Sequence, residues 1–360
     1  MRVLALVTEA FGGHGGIALY NRDLLAALCL LPGCRKVVAL PRLQPAEPEP
    51  LPPRLSYTTN GVGGKARYTQ ALLRLLVADR SFDLIVCGHI NLLPLAYLAR
   101  RLTDAPVLLM IYGIDAWQPT ASRPANHLAR RVDRIVSISD HTRQRFLGWA
   151  GAQTGNVHLL PNAIHAEPYG IGPKDPSLLR RYGLDGRTLL LTLGRLDAAE
   201  RYKGIDEMLE IIPGLAAEIP TLAYLVVGDG DDRPRLQHKA RVLGIADRVV
   251  FAGRIDEREK ADHYRLADAF VMPGRGEGFG FVFLEAMACG VPVVASTLDG
   301  SREAVREGQL GLLANPDDRA ALRNAVTEAL RRPKGIPPGL DYFSFERFTA
   351  RLGEILARYS

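Results

Sequence analysis

The sequence predicts an α/β protein made of two doubly wound parallel-sheet domains in tandem, and three observations carry that expectation. The chain has 360 residues, more than one ordinary core organises, so two domains of about 150 to 200 residues are expected. Short apolar runs alternate with segments of helical period from one end to the other. The runs are continuous in Val, Leu and Ile rather than alternating with polar residues. That pattern belongs to strands buried on both faces, as in a parallel sheet covered by helices.

In the first half the expected strands are RVLALVT, KVVAL, FDLIVCGH, PVLLMIYG, DRIVSIS and NVHLLPN. Helical patterns such as GIALYNRDLLAALCLL, ARYTQALLRLLVAD and HTRQRFLGW lie between them. The second half carries TLLLTLGRL, LAYLVVGDG, RVVFAGR, DAFVMPG and VPVVAS as strands. Its helices include GIDEMLEII, RPRLQHKARVLG and GFVFLEAMA. The Pro- and Gly-rich stretch PNAIHAEPYGIGPKDPSLLRRYGLDGR is expected to link the domains, giving 1–165 and 166–338. A proline-rich segment, PRLQPAEPEPLPPRL, reads as a surface loop of the first domain. The last segment, SFERFTARLGEILARY in 339–360, is amphipathic. Ligands of doubly wound sheets sit beyond the carboxyl ends of the strands, so the strand ends hold the candidate residues.

Composition narrows the class. Apolar content of 47% and charged content of 23% are those of a soluble globular protein. No apolar run approaches the roughly 20 residues that span a bilayer. The opening MRVLALVTEAF is cut by Glu9 and reads as a buried strand, not a signal peptide. Cys29, Cys34, Cys87 and Cys289 lack metal-site spacing and are expected as reduced core thiols of a cytoplasmic protein. Residues 1–165 hold 18 Lys+Arg against 10 Asp+Glu, whereas residues 166–360 hold 27 against 29. The basic first half suits an anionic membrane face, a nucleic acid or a phosphorylated substrate, or it is a set of scattered solvated arginines. A nucleic-acid-binding protein is disfavoured by an aromatic content of 7% and by the lack of a recognised motif.

The stretch GRGEGFGFVFLEAMACGVPVVAS, from Gly274 to Ser296, follows a strand and opens a helix near Phe281. Gly276, Gly278 and Gly280 clear the approach to backbone N–H groups, and a helix start favours phosphate. Glu285, one turn into the helix, has the reach to accept from a ribose diol, and Glu277 from sugar hydroxyls. A helix-capping acid and a solvated loop acid are the plain alternatives. In LTLGRLDAAERYKGIDEML, Arg195 and Lys203 stand between a strand and a helix, where two cations can hold a diphosphate and stabilise its departure.

After the first strand, Gly13-His14-Gly15-Gly16-Ile17-Ala18 fits the dinucleotide fingerprint. The acid that the fingerprint needs at the second strand end is absent from VVALPRLQ. A phosphate or sugar cradle is therefore expected, and an NAD oxidoreductase is not. His89, at a strand end, is either structural or a donor to a sugar hydroxyl. Asp229 and Asp231 form a D-x-D pattern able to bind Mg²⁺ or Mn²⁺, but a turn or capping role is expected.

Taken together, these pieces resemble the retaining family-four glycosyltransferases of the GT-B fold. The matching segments, in the family's order, are GGHGG, GHINLLPL, YGIDAW, SISDHT, LPNAI, GRLDAAERYKG, VVGDG, FAGRI and the E-x7-E stretch from Glu277 to Glu285. The resemblance implies two Rossmann-like domains facing across a cleft, with the acceptor in the first and a UDP- or GDP-sugar in the second. It also implies a last helix, within 339–360, that crosses back to the first domain. Arg195 and Lys203 look like the diphosphate ligands, Glu285 the ribose ligand and Glu277 the sugar-hydroxyl ligand. His89 matches the active-site His, and Gly13, Gly15 and Gly16 match the loop that closes over the diphosphate. Gly278, Phe279 and Gly280 join the donor-binding set.

Such enzymes retain the donor's α-configuration by attack on the leaving-group face and need no metal. The expected acceptor is a saccharide, lipid-linked in some relatives, in exopolysaccharide or lipopolysaccharide biosynthesis. The expected location is cytoplasmic, peripheral on the inner membrane face. A GT-B-fold epimerase remains the nearest alternative. Two departures stand out. Tyr112 replaces a His common in relatives, and AERY lengthens the interval from Arg195 to Lys203, making Arg201 a competing cation.

Overall fold

The computed structural model describes residues 1–132, 134–151 and 157–358. Asp133, Asn156 and Tyr359, which belong to three expected elements, lie outside the described residues. The chain divides into two compact units: Met1–Ala163 with Phe345–Ser360, and Ile164–Ser344.

Unit 1 contains β1 (Arg2–Val7), α1 (Gly16–Leu30), β2 (Lys36–Pro41), β3 (Leu55–Tyr57), α2 (Lys65–Ala78), β4 (Leu84–Cys87) and α3 (Leu93–Thr103). It continues with β5 (Val107–Ile111), α4 (Ile114–Trp117), α5 (Arg123–Ala129), β6 (Arg134–Ser137), α6 (Asp140–Ala150) and β7 (Val157–Leu159). The seven strands run in the order β3-β2-β1-β4-β5-β6-β7, and every neighbouring pair is parallel. Leu4, Leu6, Ile85, Leu109 and Ile135 of the sheet pack on Tyr68, Leu72 and Phe146 of the helices.

Unit 2 contains α7 (Pro176–Tyr182), β8 (Thr188–Leu193), α8 (Ile205–Glu218), β9 (Leu222–Val227), α9 (Arg233–Val242), β10 (Val249–Gly253) and α10 (Lys260–Leu266). It ends with β11 (Ala269–Val271), α11 (Phe281–Ala288), β12 (Val293–Ser296), α12 (Ser301–Ala304), β13 (Leu312–Ala314) and α13 (Arg319–Arg331). Its six strands, also all parallel, run β10-β9-β8-β11-β12-β13. Leu190, Tyr224, Val226 and Val271 meet Met208, Leu209, Ile212 and Leu322 in its core.

The final helix, α14 (Phe345–Ala357), belongs to unit 1. It buries Phe348, Leu352 and Ile355, and the Phe348 ring stands edge-on to Tyr20 of α1 at 5.5 Å. Neither β3 nor β13 is among the strands expected from the sequence. Each is three residues long. The equally short β7 and β11 are expected from the longer runs NVHLLPN and DAFVMPG, whereas β3 opens at the end of the proline-rich segment and β13 follows the glycine-flanked GQLG. The expected linker stretch is not wholly irregular, since it contains α7, which Asp175 caps by accepting from the Ser177 N–H at 2.7 Å.

All four cysteines are unpaired and buried. Among the described residues, no helix is long and apolar enough to cross a membrane.

Both sheets reverse their strand order once, between β1 and β4 in unit 1 and between β8 and β11 in unit 2. At such a switch point the connections leave to opposite sides and open a crevice at the carboxyl ends. The sequence-derived residues fall at these two places. The loop Gly13–Gly16 follows β1 and His89 follows β4; Arg195 and Lys203 follow β8 and Glu277 follows β11.

Candidate active site

In unit 2 the site begins where β8 and β9 end together. A Cβ on Gly228 would lie 1.8 Å from the carbonyl oxygen of Gly194, and its φ of +134° also excludes ordinary side chains. That contact sends the chain from Gly194 out of the sheet into two short 3-10 turns spanning Ala198–Lys203.

Lys203 is buried at 9% exposure. Its Nζ lies 2.5 Å from Glu200 Oε2 and 3.5 Å from the Arg195 carbonyl. Arg195 donates from Nη2 to Glu200 Oε1, while 72% of its own side chain faces solvent. The two expected diphosphate cations therefore converge on one carboxylate. Arg201, the competing cation, turns away and pairs with Asp232 Oδ1 at 2.9 Å.

Glu277 lies on the neighbouring loop. Its N–H donates to Asp299 Oδ2 at 2.9 Å, and its carbonyl accepts from Gly300 N–H at 2.8 Å. Asp299 is itself held by the Ser301 N–H and hydroxyl, at 3.0 and 2.6 Å on Oδ1. Loss of water pushes the Glu277 carboxyl up to about 7; the Asp299 and Glu200 carboxylates add to the rise, and Lys203 and Arg195 oppose it. Gly276 lies under the Tyr202 ring, where a Cβ would meet ring carbons at 2.4 Å.

The helix α11 begins after Gly280 with no side chain capping it. Its first N–H groups have no partner within the helix and carry positive partial charge. Gly204 before α8 and Gly15 before α1 leave those helices equally uncapped. By contrast, Ser122, Ser139 and Asp318 cap α5, α6 and α13. Phe279 puts its ring into the core against Phe343, at 5.5 Å, so only its backbone is offered to a ligand.

Glu285 departs from the simple picture of a ligand-facing acid. It is 4% exposed. Its Oε1 accepts from Lys260 Nζ and its Oε2 from the Tyr264 hydroxyl, both at 2.6 Å. A ribose diol at this carboxylate would have to share it with those donors.

Of the D-x-D acids, Asp229 bonds within its own turn, whereas Asp231 ties that turn to the loop after β8. Asp229 Oδ1 accepts from the Gly230 N–H at 3.0 Å and lies 3.5 Å from Arg233, while Asp231 Oδ1 accepts from the Ala198 N–H at 2.7 Å. Among the described residues, no group of three or more His, Cys, Asp or Glu is placed to hold a metal ion. A cavity of about 510 Å³ in unit 2, lined in part by Lys174, Arg187, Asp268 and Lys334, lies at the opposite, amino-terminal ends of β8 and β11.

In unit 1, β1 and β4 are neighbours, so the loop after Val7 and the turn at His89 share one edge. Gly13 N–H donates to the Ala10 carbonyl at 2.9 Å, and Gly15 and Gly16 are exposed at the start of α1. His89 Nδ1 accepts from the Asn91 N–H at 3.0 Å. Burial, then the Arg42 charge, lowers its pKa, which keeps the ring neutral. With Nδ1 accepting, the proton is assigned to Nε2, leaving one N–H donor for a ligand. Tyr112 is buried and donates to Asn21 Oδ1 at 2.6 Å.

Several residues of these sites escape sequence reasoning. Glu49, in the proline-rich loop, accepts from the Gly12 N–H at 2.5 Å and pairs with Arg22 at 2.6 Å, tying that loop to the glycine loop. Glu200, Asp299, Lys260 and Tyr264 are likewise visible only in three dimensions. A D-x-S capping signal in LDGSREAV was the one sequence hint of Asp299.

Comparison with known proteins identifies the family and the fold. Residues 187–332 match the family pattern described as "Glycosyl transferases group 1", and residues 15–163 that of "Glycosyl transferase 4-like domain". The chain is 33% identical over 307 residues to a GDP-mannose-dependent alpha-(1-6)-phosphatidylinositol monomannoside mannosyltransferase of Mycolicibacterium smegmatis, covering 79% of each. It is 30% identical to a phosphatidyl-myo-inositol mannosyltransferase of Mycobacterium leprae, covering 83% of this chain and 76% of that one. Anabaena Alr3699/HepE, solved in complex with UDP and glucose, superposes with a TM-score of 0.77 at 19% identity over 99% of this chain and 100% of that one. That last likeness concerns the fold, which is GT-B.

Proposed function

The chain belongs to the family-four glycosyltransferases, and from that premise we propose that it transfers a hexose, with retention, from a nucleotide-sugar to a hydroxyl of a saccharide or lipid-linked acceptor. The observation that carries this reading is the convergence of Arg195 and Lys203 on Glu200 at the switch point of the unit 2 sheet, near enough to Glu277 for both charges to act on its carboxyl. Two cations and the uncapped start of α11 suit a diphosphate whose charge grows as it leaves.

In the proposed step, the bond from the sugar C1 to the diphosphate oxygen breaks and the electron pair stays on the diphosphate. The acceptor oxygen bonds to C1 from the same face, and its proton passes to the departing phosphate oxygen. Glu277 accepts from the sugar hydroxyls and fixes the ring, Glu285 takes the ribose, and His89 gives its Nε2–H to a hydroxyl. Gly13, Gly15, Gly16, Gly278, Phe279 and Gly280 offer backbone N–H groups. No metal is assigned a part, because Arg195 and Lys203 supply the positive charge the diphosphate requires.

The relatives named as GDP-mannose-dependent and phosphatidylinositol-directed make GDP-mannose the first donor to test and a phosphoinositide the first acceptor. Thermal-shift titration with UDP, GDP, ADP and TDP identifies the base. A ligand at 100 times its dissociation constant stabilises by about 2.7 kcal/mol. A shift with GDP or UDP and a retained α-linkage in the product support the proposal; no shift with any of the four contradicts it.

The basic excess of residues 1–165 is proposed to dock on anionic lipid. Flotation with phosphatidylglycerol vesicles at low salt, lost at high salt, is the expected result. A chain that stays at the bottom at both salts removes this part.

A further inference from the structure

Glu200 stands where the proposed function puts the donor's diphosphate. Its carboxylate accepts from Arg195 and lies 2.5 Å from the Lys203 ammonium. Both cations assigned to the leaving group thus share one internal anion. The side chains of Glu200 and Lys203 are only 13% and 11% exposed. The Lys203 ammonium is poorly solvated there, and the solvent-facing Arg195 adds a second positive charge on the same carboxylate, so the pair is costly unless an anion lies between them. Glu200 is that anion.

The attachment of Glu200 suits a group that moves. Its backbone breaks the run of 3-10 turns, with φ −114° and ψ 26°. Its N–H donates to the Asp197 carbonyl at 2.8 Å, which holds the main chain, so rotation of the side chain alone would carry the carboxylate away. Its Oε2 is buried and ion-paired but makes no aligned hydrogen bond. A phosphate oxygen with better alignment to the same ammonium has the advantage. Glu200 also lies within the AERY stretch that lengthens the interval between Arg195 and Lys203.

Building on the diphosphate assignment made above, we propose that Glu200 is a built-in counter-ion that competes with the donor's diphosphate for Arg195 and Lys203. It keeps the two cations ordered and neutralised between turnovers. It swings aside when the donor arrives and returns to displace the nucleoside diphosphate after transfer. The carboxylate touches neither the sugar nor the acceptor, so its effect falls on binding and release.

Calorimetric titration of the full chain with inorganic pyrophosphate, GDP and UDP tests this. Glu200→Gln keeps the shape and removes the charge. It is expected to tighten pyrophosphate, and whichever nucleoside diphosphate binds, by about tenfold, the equivalent of ~1.4 kcal/mol. Glu200→Ala is expected to move binding the same way, and thermal melts verify that both variants fold. Arg195→Ala is expected to weaken binding. If Arg195→Ala weakens it while both Glu200 variants bind as the wild type or worse, the diphosphate site stands and the counter-ion role is overturned. If Arg195→Ala binds pyrophosphate like the wild type, the diphosphate assignment itself falls and the inference with it. In turnover, Glu200→Gln should lower the donor KM with kcat held or raised; a drop in kcat at unchanged KM would mark a positioning residue and overturn the proposal.

Discussion

Glu277 and Glu285 are eight positions apart and have opposite electrostatic surroundings. Glu285 is the counter-ion of Lys260, whose side chain is 12% exposed. Glu285→Ala would leave that ammonium with only the solvent-facing Glu257, at 3.2 Å, and would strip the buried Tyr264 hydroxyl of its acceptor, at a cost of about 1–3 kcal/mol. A melting temperature equal to wild type would show that the pair is not buried as described. Glu277 faces two carboxylates and two cations, and its carboxyl is raised to about 7. Between its ordinary range and that value the folded state holds the proton more tightly than the unfolded chain. Stability should therefore fall as pH rises from about 5 to about 7. Glu277→Gln should flatten that part of the profile, and melts across the range compare the two; parallel curves would contradict the raised pKa. Glu277, Arg195 and Lys203 drew notice in the sequence because each sits in a Gly-bearing turn after an apolar run, and Glu285 because it lies one turn into the helix that follows such a turn. Asp299 and Lys260 did not, because they lie 22 and 25 residues from the glutamates they serve.

At the scale of elements, the helices divide by how they begin. Those that follow β1 and β11 and the loop after β8 start behind glycine and carry no capping side chain, whereas α5, α6 and α13 are capped by Ser or Asp. The uncapped starts leave N–H groups for a ligand, and the capped ones spend theirs on structure. Although α2, α4 and α12 also start uncapped behind glycine and α9 makes no cap bond from Asp232, for these six helices the contrast is present in the sequence as Gly against Ser or Asp at the N-cap. The strand order is not, since nothing local in β1 or β8 says which strands flank it. The amphipathic α14 was legible from its apolar spacing. Its Phe348 is fully buried beside Tyr20, so Phe348→Ala is expected to cost about 3–5 kcal/mol. Denaturant melts check this; a cost under about 1 kcal/mol would mean that α14 does not hold unit 1 together.

For the whole molecule, unit 2 is continuous in sequence while unit 1 is closed by a segment that returns after it. Unit 2 also has a core of its own. Residues 164–344 expressed alone should unfold in one cooperative transition, followed by circular dichroism; a gradual melt would contradict an independent core. Two cores were legible from chain length and from the two series of strands, and the charge asymmetry from counting. The assignment of residues after Ser344 to unit 1 was legible only through the family resemblance, because apolar spacing in a last helix does not say which core it covers.

The account's central claim is that the switch point of the unit 2 sheet holds a pyrophosphate. The most direct measurement is a crystal structure of the chain soaked with GDP or UDP. The phosphates should lie within hydrogen-bond distance of Arg195, Lys203 and the first N–H groups of α11, with Glu200 turned away. Phosphates bound instead in the cavity lined by Lys174, Arg187 and Lys334, with Arg195 and Lys203 still paired to Glu200, would contradict the claim.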